Sequence, residues 1–218
     1  MSIHYQTASW GDKKVIIGET PSHRDQPVRL LIGFHGADST PENMLIHGNR
    51  LKLNNTWMFF PEGPVDAGKG LWSWWEDGPR QPLAVANFLT YTTGLIDQAH
   101  RHLEKQAPGK KGLTCLWGFS QGGAASLVYT LLGNLPVDKT VSICGFLPEL
   151  PEENIKNQTA AKILGIYGAQ DDVVPAFLAE YALDEMKSRG HGLTMKETPH
   201  GHELHPSYLQ EVRDFLGD

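Results

Sequence analysis

The sequence predicts an α/β domain with a mostly parallel central sheet that is covered by helices on both faces. Short apolar runs with almost no charge alternate along the chain with longer amphipathic segments, and this alternation is typical of parallel sheets. The 218 residues suffice for one such core, so residues 1–218 are predicted as a single domain. The chain is too short for that core plus a large lid domain.

The elements follow each other from strand to helix along the chain. Two early strands, predicted to be antiparallel, are followed by a helix that begins at Pro41, because proline suits the first helical position. A long second helix carries apolar residues at intervals of three, four or seven, which form one buried stripe. The predicted strands are 14–19, 28–34, 56–60, 113–117, 139–144, 161–167 and 192–197. The predicted helices are 41–51, 83–106, 122–129, 177–189 and 206–216.

A G-x-S-x-G motif at residues 118–122 is the most informative feature of the chain. An apolar strand precedes it and a helix of small residues follows it, which is the context that a nucleophile elbow requires. The sharp turn forces strained backbone angles on Ser120, and the flanking glycines remove side chains that would clash. Gly123 argues against an incidental glycine-rich turn, because it lets the new helix pack close to the sheet. Ser120 is therefore the predicted nucleophile.

A serine nucleophile needs a base, and the base needs a carboxylate that orients it. Asp171 and Asp172 follow a buried strand and are both candidates for the acid, and spacing alone does not separate them. His202 lies between the last strand and the last helix and is the preferred base, with His200 as the alternative. His35 precedes the nucleophile, so a structural role is preferred for it.

Two further features of the sequence bear on these candidates. The histidines of residues 200–205 lack the i, i+4 helical spacing of a metalloprotease, so no metal site is predicted. An oxyanion hole is predicted from two backbone amides, that of Gln121 after the nucleophile and that of Ala37 after an early strand.

With these motifs the chain resembles the phospholipase/carboxylesterase family of α/β-hydrolases, which includes acyl-protein thioesterases and small carboxylesterases. The resemblance selects Asp171, which is followed by Val174-Pro175, and selects His202 in a Gly-His-Glu segment. It implies a Ser120–His202–Asp171 triad, no cofactor and a homodimer. Ala37 and the loop 61–81 depart from the usual family pattern. The matching blocks are His35-Gly36-Ala37-Asp38, 118–123, Gly145-Phe146-Leu147-Pro148, 168–175 and Gly201-His202-Glu203.

The loop 61–81 is predicted to determine substrate specificity. It holds three of the six tryptophans among glycine, proline and aspartate, and the indoles either line an acyl pocket or cover the domain surface. The pocket is the preferred interpretation, with bulky indoles favouring short or medium acyl chains. The predicted substrate-binding residues are Trp72, Trp75, Phe146, Leu147 and Val173.

The predicted function is hydrolysis of carboxylic esters or thioesters through an acyl-enzyme. A dienelactone-hydrolase-like enzyme is an alternative, although that group usually carries cysteine where this chain has Ser120. A non-catalytic binding module is a second alternative, but it would be expected to have lost a triad member.

Composition bounds the partners of the chain and its location. A net charge of −6 argues against a nucleic-acid partner. The first residues lack the features of a signal peptide, and no run reads as a membrane span. A cytoplasmic protein is therefore expected. Cys115 and Cys144 lie in predicted strands and are expected to pack as small apolar residues.

Overall fold

The computed structural model describes residues 3–21, 26–151 and 159–217. These ranges hold ten strands and five helices, of which the sequence predicts seven strands and all five helices. The strands are β1 (His4–Trp10), β2 (Lys13–Glu19), β3 (Val28–Phe34), β4 (Thr56–Pro61), β5 (Val65–Gly68), β6 (Leu71–Ser73), β7 (Gly112–Phe119), β8 (Lys139–Ile143), β9 (Lys162–Gly168) and β10 (Gly192–Thr198). The helices are α1 (Pro41–Leu51), α2 (Gln81–Gln106), α3 (Gln121–Leu132), α4 (Ala176–Ser188) and α5 (Tyr208–Gly217).

Eight of the strands form one sheet in the order β1-β2-β4-β3-β7-β8-β9-β10. All neighbouring pairs from β4 to β10 are parallel, whereas β2 is antiparallel to β4 and β1 is antiparallel to β2. The fold class that the sequence predicts is therefore confirmed. The two early strands do run in opposite directions, but β4 lies between them. Strand β1 and the small β5-β6 hairpin were not predicted.

Helices cover both faces of the sheet. Successive side chains of a strand point to opposite faces, so a continuous apolar run presents apolar side chains on both. In β3, Leu30 and Ile32 belong to the apolar cluster under α2 and α3, whereas Leu31 belongs to the cluster under α1 and α5. The stripe predicted on α2 is buried as expected, and it comprises Val85, Leu89, Ile96, Ala99 and Leu103. No helix in the described ranges is long and apolar enough to cross a bilayer.

The parallel strands bring their carboxyl ends to one edge of the sheet. Pairing is aligned near those ends, with Phe34 opposite Gly118, Phe119 opposite Ile143 and Thr198 opposite Gly168. Loops that leave this edge converge, and ligand sites of open α/β sheets are found there. The fold therefore gathers the segments after β3, β7, β9 and β10 in one place.

Candidate active site

Ser120 lies at the tight turn between β7 and α3, with φ 58° and ψ −124°. Residues other than glycine rarely adopt a positive φ, because it strains the backbone. Such strain is found at functional turns. The turn is closed by two glycines. A Cβ on Gly118 would lie 2.1 Å from the carbonyl oxygen of Gly122, and a Cβ on Gly122 would lie 2.1 Å from that of Phe34. The strand-turn-helix context that the motif predicts is therefore present.

His202 connects Ser120 to Asp171 through two hydrogen bonds. Its Nε2 lies 2.8 Å from Ser120 Oγ, and its Nδ1 lies 2.8 Å from Asp171 Oδ2. The carboxylate can only accept, so Nδ1 carries the proton and Nε2 is free to accept from the serine hydroxyl. The imidazole also contacts the ring of Phe119, with 4.9 Å between ring centroids. A hydroxyl, an imidazole and a carboxylate in this order form the arrangement that serine hydrolases use for nucleophilic attack.

Asp171 is held as a buried carboxylate at the start of the loop after β9. Its side chain is 1 % exposed, and its Oδ1 accepts hydrogen bonds from the amides of Val173 at 2.9 Å and Val174 at 2.7 Å. Burial acts to raise the pKa of this carboxyl, but the Val174, His202 and Val173 hydrogen bonds outweigh it and lower the pKa. Asp172, which spacing could not separate from Asp171, is exposed to solvent.

Cys144 lies at the end of β8, between the loops that carry Ser120 and Asp171. Its φ is 50°, and its thiol is buried beside the Asp171 carboxylate. Burial, the larger cause, and the charge of the neighbouring Asp171, the smaller one, raise the pKa of this thiol to about 12. The thiol therefore stays protonated. Cys115 is also buried, and both cysteines are free thiols, which agrees with the packing predicted for them.

The loop after β3 lies against Ser120. A Cβ on Gly36 would lie 3.7 Å from Ser120 Cβ, and Gly36, Ala37 and Ser120 line the same cavity. The backbone N–H groups of Ala37 and Gln121 donate to no acceptor among the described residues. Two unused donors beside a nucleophile can stabilise a developing oxyanion.

A cavity of about 460 Å³ opens beside Ser120 and His202. Its walls combine apolar side chains with the backbone of the loop after β3, and they are formed by His35, Gly36, Ala37, Asp38, Ser39, Asn43, Met44, His47, Phe119, Glu203 and Leu204. A second cavity, next to Arg29 and Lys139, lies near the amino ends of β3 and β8 and so at the opposite edge of the sheet. Of these two cavities, the first adjoins Ser120 and the second does not.

The five side chains predicted to bind substrate are not among the residues that line this cavity. Trp75 is 1 % exposed and packs on Phe88, with 5.3 Å between ring centroids. Trp72 is half-buried, and Lys13 Nζ lies 3.8 Å from its ring centroid. Phe146 and Leu147 pack against the apolar core, whereas Val173 is largely exposed. Substrate contacts of these five residues stay a prediction.

His200, the alternative base, contacts His205 rather than the serine. The two rings stack with 3.9 Å between centroids and 18° between planes, and His200 Nδ1 lies 3.7 Å from Glu203 Oε1. His200, Glu203 and His205 each offer one ligand atom, and these three atoms lie within 4.8 Å of one another.

Known proteins share both the sequence pattern and the fold. A family profile described as Phospholipase/Carboxylesterase matches residues 17–218. The carboxylesterase from Mesorhizobium loti superposes with a TM-score of 0.76 at 12% identity, covering 97% of this chain and 98% of that chain. The Bacillus cereus carboxylesterase gives 0.76 at 14% identity, covering 93% and 92%. Arabidopsis thaliana SOBER1 gives 0.71 at 22% identity, covering 88% and 98%.

The structural neighbours support the fold, and the sequence profile identifies the family. The profile spans nearly the whole chain, including the elbow of Ser120 and the loops of Asp171 and His202. The chain therefore belongs to the Phospholipase/Carboxylesterase family and has the α/β-hydrolase fold.

Proposed function

We propose that the protein is a serine hydrolase that cleaves carboxylic ester or thioester bonds through an acyl-enzyme. The observation that carries the proposal is the continuous hydrogen-bonded series from Ser120 through His202 to Asp171, with 2.8 Å at each of its two bonds. Membership in a family of esterases supports the same chemistry. The alternative of a non-catalytic module is disfavoured because a binding role would not require this protonation order.

The first step forms a covalent ester between the protein and the acyl group. Ser120 Oγ attacks the carbonyl carbon of the substrate while its proton moves to His202 Nε2. The carbonyl oxygen becomes an oxyanion, which the amides of Ala37 and Gln121 stabilise. The tetrahedral intermediate then collapses and breaks the bond to the alcohol or thiol. His202 gives its proton to that leaving group, so the imidazole is neutral again.

The second step releases the acid and restores the serine. Water replaces the departed alcohol or thiol, gives a proton to His202 Nε2 and attacks the acyl carbon. Collapse of the second tetrahedral intermediate breaks the bond to Ser120 Oγ, which takes the proton back from His202. In both steps Asp171 remains an anion and stabilises the imidazolium, as its lowered pKa favours.

The cavity beside Ser120 supports a small acyl substrate. Its volume of about 460 Å³ lies within the range of small-molecule sites, and Met44, Phe119 and Leu204 give it apolar walls. Ser39 lines the cavity and pairs with Trp72 through two backbone hydrogen bonds, of 3.0 and 2.8 Å. We therefore propose short- to medium-chain acyl groups, with Trp72 near the outer end of the chain.

A chain-length series of chromogenic esters tests the proposal. The wild type should hydrolyse p-nitrophenyl esters in a series from acetate to palmitate, with its maximum kcat/KM at a short or medium chain. Ser120→Ala should abolish turnover of every ester, since it removes the nucleophile. A parallel series of acyl thioesters gives the preference between the two bond types.

Three results would contradict parts of the proposal. If the folded wild type hydrolyses neither esters nor thioesters, the proposed reaction is wrong. If Ser120→Ala keeps the wild-type rate, Ser120 is not the nucleophile. A maximum at palmitate would refute the proposed size of the acyl site while leaving the reaction intact.

A further inference from the structure

Four consecutive residues, 72–75, connect the two loops that carry the candidate oxyanion donors. Trp72 pairs with Ser39 through the backbone, and Ser73 Oγ accepts a hydrogen bond from the Asp38 amide at 2.9 Å. The Trp74 indole Nε1–H donates to the carbonyl oxygen of His35 at 2.7 Å. The segment is thus fixed to the loop after β3 at three successive positions.

The same segment is fixed to the nucleophile elbow through the side chain of Gln121. Gln121 Oε1 accepts a hydrogen bond from the Trp74 amide at 2.9 Å, and Gln121 Nε2 donates to the Trp75 carbonyl at 3.0 Å. Both bonds are buried, and they join positions 47 and 46 residues apart. The side-chain amide of Gln121 therefore makes two buried bonds to one short backbone stretch, as an interior amide requires.

His35 continues this network to the amide of Ala37. Its Nδ1 lies 2.8 Å from the Gly36 carbonyl oxygen, which can only accept, so Nδ1 carries the proton. That carbonyl and the Ala37 N–H belong to one planar trans peptide, in which they point in opposite directions. A bond that fixes the Gly36 oxygen consequently fixes the direction of the Ala37 N–H.

The His35 ring itself is held in place by Trp74. The two rings are 4.6 Å apart between centroids and the Trp74 side chain is fully buried, as is His35. Burial lowers the pKa of His35 to about 4, so the ring is neutral near pH 7 and keeps the single proton that Gly36 accepts. His35 Nε2 is buried with no partner among the described residues, so the Nδ1 bond sets the ring orientation.

We propose that Trp74 and the side chain of Gln121 are positioning residues that align both oxyanion donors. Trp74 acts on the Ala37 amide through His35, and Gln121 fixes the elbow that carries its own backbone amide. This inference rests on the proposed hydrolase function. It assigns residues 72–75 a part in binding the transition state, besides their part in the core.

Two substitutions test the proposal in the full-length protein. Trp74→Phe removes the indole donor to His35 and keeps a buried aromatic ring, and Gln121→Met removes both side-chain bonds and keeps the backbone amide. Each should lower kcat on the best p-nitrophenyl ester by about 10- to 100-fold with little change in KM, somewhat less than complete loss of one oxyanion donor. A trifluoromethyl ketone forms a tetrahedral adduct with Ser120 in which the former carbonyl oxygen is an oxyanion. The affinity for this ketone should fall by a similar factor.

A matched control separates positioning from packing. Trp117 is also fully buried, and its Nε1 has no hydrogen-bond partner among the described residues. Trp117→Phe therefore makes the same chemical change without breaking a hydrogen bond, and it should keep kcat and ketone affinity within about two-fold. Circular dichroism and thermal unfolding of each variant establish that it is folded.

The outcomes distinguish this inference from the proposed function. If the wild type hydrolyses esters and either folded variant keeps wild-type kcat and ketone affinity, the positioning role of that residue is refuted. Equal losses in Trp117→Phe and Trp74→Phe would refute it too, because packing alone would then explain them. If Trp74→Phe does not fold, Gln121→Met decides the question, since its bonds reach the same segment. A wild type that hydrolyses no ester would instead refute the function itself.

Discussion

His35 should make the protein less stable toward unfolding at mildly acidic pH. The side chain is fully buried in the loop after β3, and burial lowers its pKa from 6.5 to about 4, although the Gly36 hydrogen bond and the charge of Glu42 oppose the shift. Between these two pH values the unfolded chain binds a proton at His35 and the folded chain does not. The free energy of unfolding therefore falls as the pH falls through this window.

The size of the effect follows from the two pKa values. If His35 were fully protonated in the unfolded state and neutral in the folded state, the free energy of unfolding would fall by about 3 kcal/mol, at 1.36 kcal/mol for each pKa unit between the two values. At pH 5 only part of this loss in the free energy of unfolding is reached. The linkage relation gives a loss of about 2 kcal/mol relative to pH 7.5. Above pH 7 both states are neutral at this position, so the contribution vanishes.

The assay is guanidinium unfolding followed by tryptophan fluorescence at pH 7.5 and pH 5, for the wild type and His35→Asn. Asparagine can still donate to the Gly36 carbonyl, but it does not titrate. The wild type should lose about 2 kcal/mol more than the variant between the two pH values. Burial also lowers the pKa of His47, His100 and His191, but these residues contribute equally to both proteins. Asp171, whose pKa is lowered from 3.8, loses its contribution only at more acidic pH.

Parallel stability losses in the two proteins would refute the reasoning. Such a result would mean that His35 has the same pKa in the folded and unfolded states, and hence that the buried ring takes up a proton in place. A larger loss in His35→Asn would mean that folding raises the pKa of His35, which is the opposite of the expected direction.

Two further predictions concern the acid and the elbow. Asp171→Asn should lower kcat by about 10⁴-fold, because the amide no longer holds the required tautomer of His202, whereas exposed Asp172→Asn should change kcat little in the same ester assay. Equal losses in the two variants would contradict the assignment of the acid. Gly122→Ala should destabilise the protein by about 1–3 kcal/mol or more in thermal unfolding, because its Cβ would meet backbone oxygen at 2.1 Å. Gly94→Ala, with nothing within 4 Å, should stabilise helix α2 by about 0.5–1 kcal/mol, and the opposite order of the two glycine variants would refute the packing argument.

The sequence was sufficient for the elements whose signal is local. Continuous apolar runs located β3, β7 and β9, and the G-x-S-x-G motif located the elbow, because strand, turn and helix are adjacent in the chain. Strand β1 was missed because it holds few apolar residues, and Tyr5 and Trp10, five residues apart, point to opposite faces of the sheet, so the sequence shows neither an apolar run nor an alternation. Its stability derives instead from pairing with β2 over seven residues.

Features that depend on distant partners could not be predicted. Spacing does not separate the adjacent Asp171 and Asp172; the resemblance to the family selects Asp171, and the structural reason is that Asp171 meets His202, 31 residues later. Trp74 and Trp75 stand among glycine, proline and aspartate and so resemble a surface loop. Their rings pack on Phe34 and Phe88, and Gln121, more than 40 residues away, bonds the Trp74 amide and the Trp75 carbonyl that this burial would otherwise leave unpaired.

Because β10 lies at the edge of the sheet, we expect the segment that carries His202 to have a lower local stability than the rest of the domain. Strand β10 pairs with β9 alone and is mostly exposed, and the segment that follows it carries His202. Elements with few buried contacts open more often than the core does, and they do so without global unfolding. Each such opening would separate His202 from Ser120, which is 82 residues earlier in the chain and anchored in the central strands. We therefore expect activity to be lost at a lower denaturant concentration than the one that unfolds the core. Loss of activity would then measure local opening at β10 and not global unfolding.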